Sequence, residues 1–418
     1  MSAVPRSWGA DRMSGGREAQ LTTELLSIVN SLVFDGVGPE PVECPIHTEG
    51  GRIVGLDGPP PEAARVIDAR GRVVTPGLID AHLHAYTVSM DLMENEALPM
   101  SYVAAKAARR LEAALRRGFT TVRDVAGGDI GLRMAIDEGL IYGPRYLFTG
   151  PGLTQTGGHA DPRPGHLAVE VLGHHAGEIV DGVDDLRRAV RERFRTGSHA
   201  IKIFTSGGVA SPTDPLRSPQ YSAQEVRAVC DEASRRDSYV AAHAYSPEAI
   251  IHSVTNGVRT IEHGNLLTEQ TAVLMAEHGA YLVPTLIAYD AMGRRGTALG
   301  LPAVSDRKNR EVLDAGLSSI DIARRAGVRI GLGTDLVGDL EDEQLLEFRI
   351  RCEVDTVTDV LRSATSVNAA ILRRPDLGVI REGAAADLLV LGGNPFERAD
   401  VLWSPERLVI RSGRLVNP

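Results

Sequence analysis

The residues best suited to chemistry end an apolar run, Val73-Val74-Thr75-Pro76-Gly77-Leu78-Ile79-Asp80-Ala81-His82-Leu83-His84. Side chains alternate along a strand, so His82 and His84 face the same side. Two neutral imidazoles so placed can share one metal ion of the zinc type. By itself the pair is equally an edge strand with two polar rings. Further residues weigh on the choice. His243 comes near the end of Tyr239-Val240-Ala241-Ala242-His243-Ala244, and His263 ends Thr260-Ile261-Glu262-His263. Asp335 closes the run that starts at Arg329, and Lys202 interrupts the apolar Ala200-Ile201-Lys202-Ile203-Phe204.

The elements that must position these residues alternate between strand and helix patterns eight times, which predicts a (β/α)8 barrel over residues 76–377. Strands are expected at the opening run, at 119–124, 145–149, 200–204, 239–244, 260–264, 281–285 and 329–335, with a first helix from Tyr102 to Arg117. In such a barrel the site lies at the C-terminal strand ends, where the four histidines, Lys202 and Asp335 would converge. Independent accidents at all of these ends are improbable, which favours the metal reading. A Gly-, His- and Pro-rich stretch from 150 to 182 reads as a long functional loop.

Residues 21–75 and 378–418 have a different rhythm of short strands and turns, which predicts a small β-sandwich built from both ends of the chain. Residues 1–20 read as a disordered tail without a signal peptide's apolar core. The chain of 418 residues is 43% apolar but only 4% aromatic, as suits a parallel α/β architecture. Its net charge of −10 and lack of a basic stripe argue against nucleic acid, and no run is long enough to span a membrane. Three scattered cysteines (Cys44, Cys230, Cys352) form no metal-binding pair or disulfide framework and fit a reducing, cytoplasmic setting.

Val-Thr-Pro-Gly-Leu-Ile-Asp-Ala-His-Leu-His resembles the strand 1 signature of the metal-dependent amidohydrolase superfamily. The segment from Gly378 to Val390 resembles its closing stretch, so the resemblance covers nearly the whole chain. It implies a site with two divalent metal ions, most readily Zn2+. His82 and His84 would hold the buried ion and His243 and His263 the exposed one. Lys202, carboxylated by CO2, would bridge both, because a carbamate is an anionic bidentate oxygen ligand and an ammonium is not. Asp335 would bind metal and manage the proton of a bridging hydroxide that attacks an amide carbonyl. No Gly-x-Ser-x-Gly elbow is present. Asp80, two residues before His82, reads as a supporting group and not a ligand.

Thr154-Gln155-Thr156-Gly157-Gly158-His159, Phe204-Thr205-Ser206-Gly207-Gly208 and His243-Ala244-Tyr245 resemble motifs of the imidazolonepropionase-like branch. That branch includes Xaa-Pro dipeptidases of prolidase type and hydrolases of other N-acyl amino acids. His159 would polarise the scissile carbonyl or bind substrate. Tyr245, Arg217 and Arg163 are candidates for a substrate carboxylate; His166, His174 and His175 match no motif. Imidazolonepropionase itself and the deaminases use one metal without a bridging lysine, so Lys202 points to two. The alternatives are a non-peptide amide, carbamate, lactone or ester as substrate (a mycotoxin amide among them), a mononuclear cyclic amidohydrolase, or a scaffold that has lost catalysis. The partner expected is a small molecule with an amide bond, with a homo-oligomer as the default assembly.

Overall fold

Apolar runs rich in Val, Ile and Ala suit parallel strands covered on both faces. The computed structural model describes residues 24–166, 169, 175–211 and 214–416; the tail expected over 1–20 lies outside these, as does His174. Among the described residues, eight parallel strands follow the expected rhythm: β1 (Leu78–Leu83), β2 (Phe119–Asp124), β3 (Arg145–Phe148), β4 (Ile201–Phe204), β5 (Val240–Ala244), β6 (Thr260–His263), β7 (Tyr281–Val283) and β8 (Arg329–Ile330). They lie in two sheets, ordered β3-β2-β1 and β4-β5-β6-β7-β8, the second extended at its β4 edge. Hydrogen bonds cross both gaps between the sheets. Ala81 N–H donates to Leu332 O (3.0 Å) just beyond β8, and His199 N–H donates to Phe148 O (2.8 Å) just before β4.

Three expectations need correction. The opening run is not one strand: it divides at Gly77, and Val73–Pro76 pairs in a different sheet from Leu78–Leu83. A Cβ at Gly77 would lie 2.1 Å from Thr120 Oγ1, so only glycine lets the chain pass between the sheets there. Residues 150–182 are not all loop, because Gly152–Thr154 and Gly177–Ile179 pair in parallel and extend the β4 edge. Regular pairing of β8 ends at Ile330, and the chain to Asp335 is held by separate backbone bonds, such as Gly331 N–H to Leu282 O (2.8 Å) and Asp335 N–H to His82 O (2.7 Å), and by side chains. The Asn368 amide donates to Ile79 O (2.6 Å) and Leu332 O (2.7 Å), and its oxygen accepts from Leu332 N–H (3.1 Å). Behind it, Asp80 accepts from His82 N–H (3.0 Å), Thr334 N–H (3.2 Å), Thr334 Oγ1 (2.6 Å) and Gln344 Nε2 (2.9 Å).

Amphipathic helices cover the strands. Met100–Arg116 buries Val103, Ala107, Leu111 and Ala114, spaced to form one apolar stripe. The helix Ala223–Ser234 begins at a capping box in which Ser222 and Glu225 each bond the other's backbone N–H. The chain ends form a four-stranded sheet of Leu26–Val29, Ile46–Glu49, Arg52–Gly55 and Arg65–Asp68, and a six-stranded sheet that includes Val73–Pro76, Leu388–Leu391 and Arg407–Arg411. Leu388 and Val390 pack with Ile28, Ile46 and Ile53 of the smaller sheet. Leu389 and Leu391, on the other face, join the cluster with Leu115 and Phe119. This two-sided burial explains why the Leu388–Leu391 run is continuously apolar. Among the described residues no helix is long and apolar enough to cross a membrane.

Replacing Asn368 with Leu removes three hydrogen bonds and strands buried backbone groups of β1 and of the segment after β8. Unfolding free energy should fall by about 2–4 kcal/mol, measured as a lower urea midpoint; an unchanged midpoint would contradict this stapling role.

Candidate metal centre

His82 and His84 share a face of β1, and their protonation is set by what lies behind each ring. His82 Nδ1 is 2.7 Å from Glu262 Oε2. A carboxylate oxygen only accepts, so Nδ1 carries the proton and Nε2 a lone pair. His84 Nδ1 is 3.3 Å from Ala126 O, which the same tautomer would use as a hydrogen-bond acceptor. The two Nε2 atoms then face each other at 3.2 Å, acceptor toward acceptor. Asp335 Oδ1 lies 2.8 Å from His84 Nε2 and 3.4 Å from His82 Nε2. Three donor atoms within 4.8 Å of one another, two imidazole nitrogens and a carboxylate oxygen, fit a bound cation. Burial above all, and then Lys202, pushes the His82 pKa well below its ordinary value, which disfavours imidazolium as another way to relieve the contact.

Glu262 is fixed in turn. Its Oε1 accepts from Arg123 Nη2 (2.8 Å) and Thr260 Oγ1 (2.6 Å), and Arg123 Nε donates to Ala81 O (2.5 Å). Glu262 and Arg123 are both fully buried, so each charge depends on the other.

The remaining imidazoles continue from this group. Ring centroids are 5.0 Å apart for His82 and His263, 4.5 Å for His263 and His243, and 4.4 Å for His243 and His159, the last pair stacked. His263 Nδ1 is 3.7 Å from Asp335 Oδ2 and is bonded to Thr285 Oγ1 and Tyr289 Oη, both at 2.8 Å. His243 Nε2 is 3.1 Å from Gly207 O. Burial pushes His263 down to about 3 and holds His243 well below its usual value, leaving both rings neutral as ligands must be. Lys202 is buried at the same cavity, and burial, opposed by Glu262 and Asp335, pushes its ammonium down to about 8. His263, Thr285 and Asp335 have left-handed backbones, with φ of 74°, 50° and 52°. Left-handed geometry at a non-glycine residue costs on the order of 1–3 kcal/mol. At His263 it breaks the alternation of β6. Glu262 and His263, adjacent in sequence, therefore both reach His82.

A cavity of about 110 Å³ opens here, lined by His82, His84, His159, Lys202, His243, Tyr245, His263, Tyr289 and Asp335, with Leu92, Val209, Met292 and Val337 as apolar wall. Tyr245 Oη is 2.7 Å from Tyr289 Oη. The two arginine candidates lie elsewhere. Arg163 makes a two-point pair with Asp161 (2.8 and 2.7 Å), Arg217 pairs with Glu311 (2.7 Å), and neither lines the cavity. His175 is buried, with Nδ1 2.8 Å from Asn95 O, and His166 is exposed. Sequence reasoning missed Glu262, Arg123, Thr285, Asp214 and Gln220. A signal existed for two of them: Arg123 and Glu262 are charged residues inside strands expected to be buried on both faces.

The amidohydrolase family profile matches residues 73–416. The chain belongs to the amidohydrolase family. Ochratoxinase of Aspergillus niger is 31% identical over 368 residues, covering 82% of this chain and 75% of its own. The crystal structure of a prolidase complexed with N-methylphosphonate-L-proline superposes with a TM-score of 0.91 at 43% identity, over 94% of this chain and 99% of that one. A Xaa-Pro dipeptidase with methionine bound in its active site gives a TM-score of 0.85 at 30% identity, over 94% and 100% of the two chains. As an amidohydrolase the chain is a hydrolase acting on C–N bonds.

Glu262→Gln would offer His82 the amide's ambiguous hydrogen bonding and leave Arg123 without its anion. Metal affinity should fall roughly ten- to a hundredfold, read by chelator competition; unchanged affinity would mean that Glu262 does not orient His82.

Proposed function

We propose that this amidohydrolase is a binuclear, prolidase-like enzyme that cleaves the peptide-type bond of Xaa-Pro dipeptides or related N-acyl amino acids. The observation that carries the reading is the convergence of His82 Nε2, His84 Nε2 and Asp335 Oδ1 within 4.8 Å of one another, in a chain 43% identical to a prolidase. His82, His84 and Asp335 would hold one ion and His243 and His263 a second. Lys202, reacting as the free amine with CO2, would bridge them as a carbamate. When bound, such a metal pair acidifies a water toward neutral pH and polarises the scissile carbonyl.

The chain's own residues do the rest. Asp335 takes the proton released on attack and returns it to the leaving amine, so the amide departs as a neutral amine. His159, on the cavity wall, donates a hydrogen bond to the substrate, and Tyr245 with Tyr289 binds a polar end. Leu92, Val209, Met292 and Val337 exclude water and favour an apolar side chain. A second reading, hydrolysis of a non-peptide amide, is favoured by two observations: 31% identity to ochratoxinase, and the absence of an arginine among the described residues lining the cavity. In either case we read the two parallel sheets as halves of one (β/α)8 barrel, joined by the bonds across Ala81–Leu332 and His199–Phe148, and the terminal sheets as a β-sandwich domain.

Turnover of Xaa-Pro dipeptides should exceed that of N-acyl aromatic amides and carbamates when zinc-loaded protein is screened against all three. Activity confined to the last two would replace the peptidase reading with the second. Elemental analysis should give about two metal equivalents per chain, and Lys202→Ala should lose one of them and at least about a hundredfold in kcat. One equivalent in the unaltered protein would sink the binuclear site.

A further inference from the structure

Of the 45 basic side chains only three are lysines, Lys106, Lys202 and Lys308. Lys308 lies on the helix Ala303–Arg325, outside the proposed ligand set and away from the cavity lining. Its ammonium donates to three backbone carbonyls of the loop after β4: Gly208 O (3.0 Å), Ser211 O (2.7 Å) and Asp214 O (2.5 Å). Three carbonyls converging on one point suit a compact cation with three donors. The planar guanidinium used almost everywhere else in this chain does not have that shape.

The clamped loop is the seat of His159. A Cβ on Gly208 would lie 2.1 Å from His159 Cε1, so the ring rests directly on that glycine. Asp214 Oδ2 accepts from Gly208 N–H (3.2 Å) and Gln220 Nε2 (3.1 Å), and lies 3.4 Å from His159 Nδ1. Gln220 Oε1 accepts from His159 N–H (3.0 Å). The side chain and the backbone of His159 are thus both referred to Asp214, whose own carbonyl is tied to Lys308.

We propose that Lys308 is a positioning residue for His159: by holding the carbonyls of Gly208, Ser211 and Asp214 it fixes the loop that orients the imidazole over the cavity. Lys308 touches no reacting group and acts only through His159. The effect on turnover rests on the reading of His159 as a substrate contact.

Lys308→Met keeps the aliphatic stem and removes all three donors. With metal content unchanged, kcat/KM on the best substrate of the screen should fall roughly ten- to a hundredfold, mainly in kcat. In a His159→Ala background the same substitution should cost nothing further; equal losses in both backgrounds would overturn the proposal. A second readout needs no turnover. The 15N imidazole resonance of His159, identified by its disappearance in His159→Ala, should move in Lys308→Met and stay in place in Lys106→Met. An unmoved resonance in Lys308→Met would also overturn the proposal. Should the methionine variant fail to fold, Lys308→Gln, which keeps a donor pair but loses the third donor, should still shift the resonance relative to the unaltered protein, and no shift would overturn the clamp. His159→Ala at full activity would remove the substrate-contact reading, while the resonance would still decide the positioning.

Discussion

The buried chain Arg123–Glu262–His82 is the constraint on which the rest of the site depends. A carboxylate and a guanidinium removed from water cost several kcal/mol each unless paired and fully hydrogen-bonded. Here Arg123 meets Glu262 Oε1 and Ala81 O, while Glu262 Oε2 is spent on His82. The result is one imidazole with its proton directed away from the cavity and its lone pair directed into it. His84 lies between Ala126 O, at Nδ1, and Asp335 Oδ1, at Nε2. Two imidazole nitrogens and the Asp335 carboxylate then share a space that suits a cation.

Left-handed backbones at His263, Thr285 and Asp335 are the second device. A strand that continued its alternation would turn His263 away from the face Glu262 occupies. A single residue with positive φ brings both to bear on His82, from opposite sides of its role: Glu262 as the partner of Nδ1, His263 as a neighbouring ring. The local strain persists because surrounding bonds over-determine it, including those from Thr285 and Tyr289 to His263. The loop after β4 links the two halves of the site, since Gly207 O meets His243 and Gly208 supports His159. Helix Ala303–Arg325, far along the sequence, reaches that loop through Lys308.

Much of this was legible in the amino-acid order. His-x-His after an apolar run, histidines near two later strand ends, a lysine within an apolar strand and an aspartate after Gly333-Thr334 identify the family chemistry. They work because strand periodicity and the parallel-strand rhythm are local properties. Legibility failed at Gly77, where one apolar run serves two sheets, and at 150–182, where short strands hide among glycine and proline. Hydropathy has no means to say with which sheet a strand pairs.

The sequence by itself determined the element order, the parallel α/β class and the candidates His82, His84, Lys202, His243, His263 and Asp335, which the fold gathers at one cavity. Only the tertiary structure decided what each is bonded to. It assigned Glu262 to His82, Asp214 and Gln220 to His159, and Arg163 and Arg217 to local ion pairs outside the cavity. The physical reason is separation along the chain. Tautomer, orientation and pairing depend on groups brought within 3–4 Å by folding, here across 180 residues between His82 and Glu262 and 264 between Asp80 and Gln344, and no local pattern encodes such a distance.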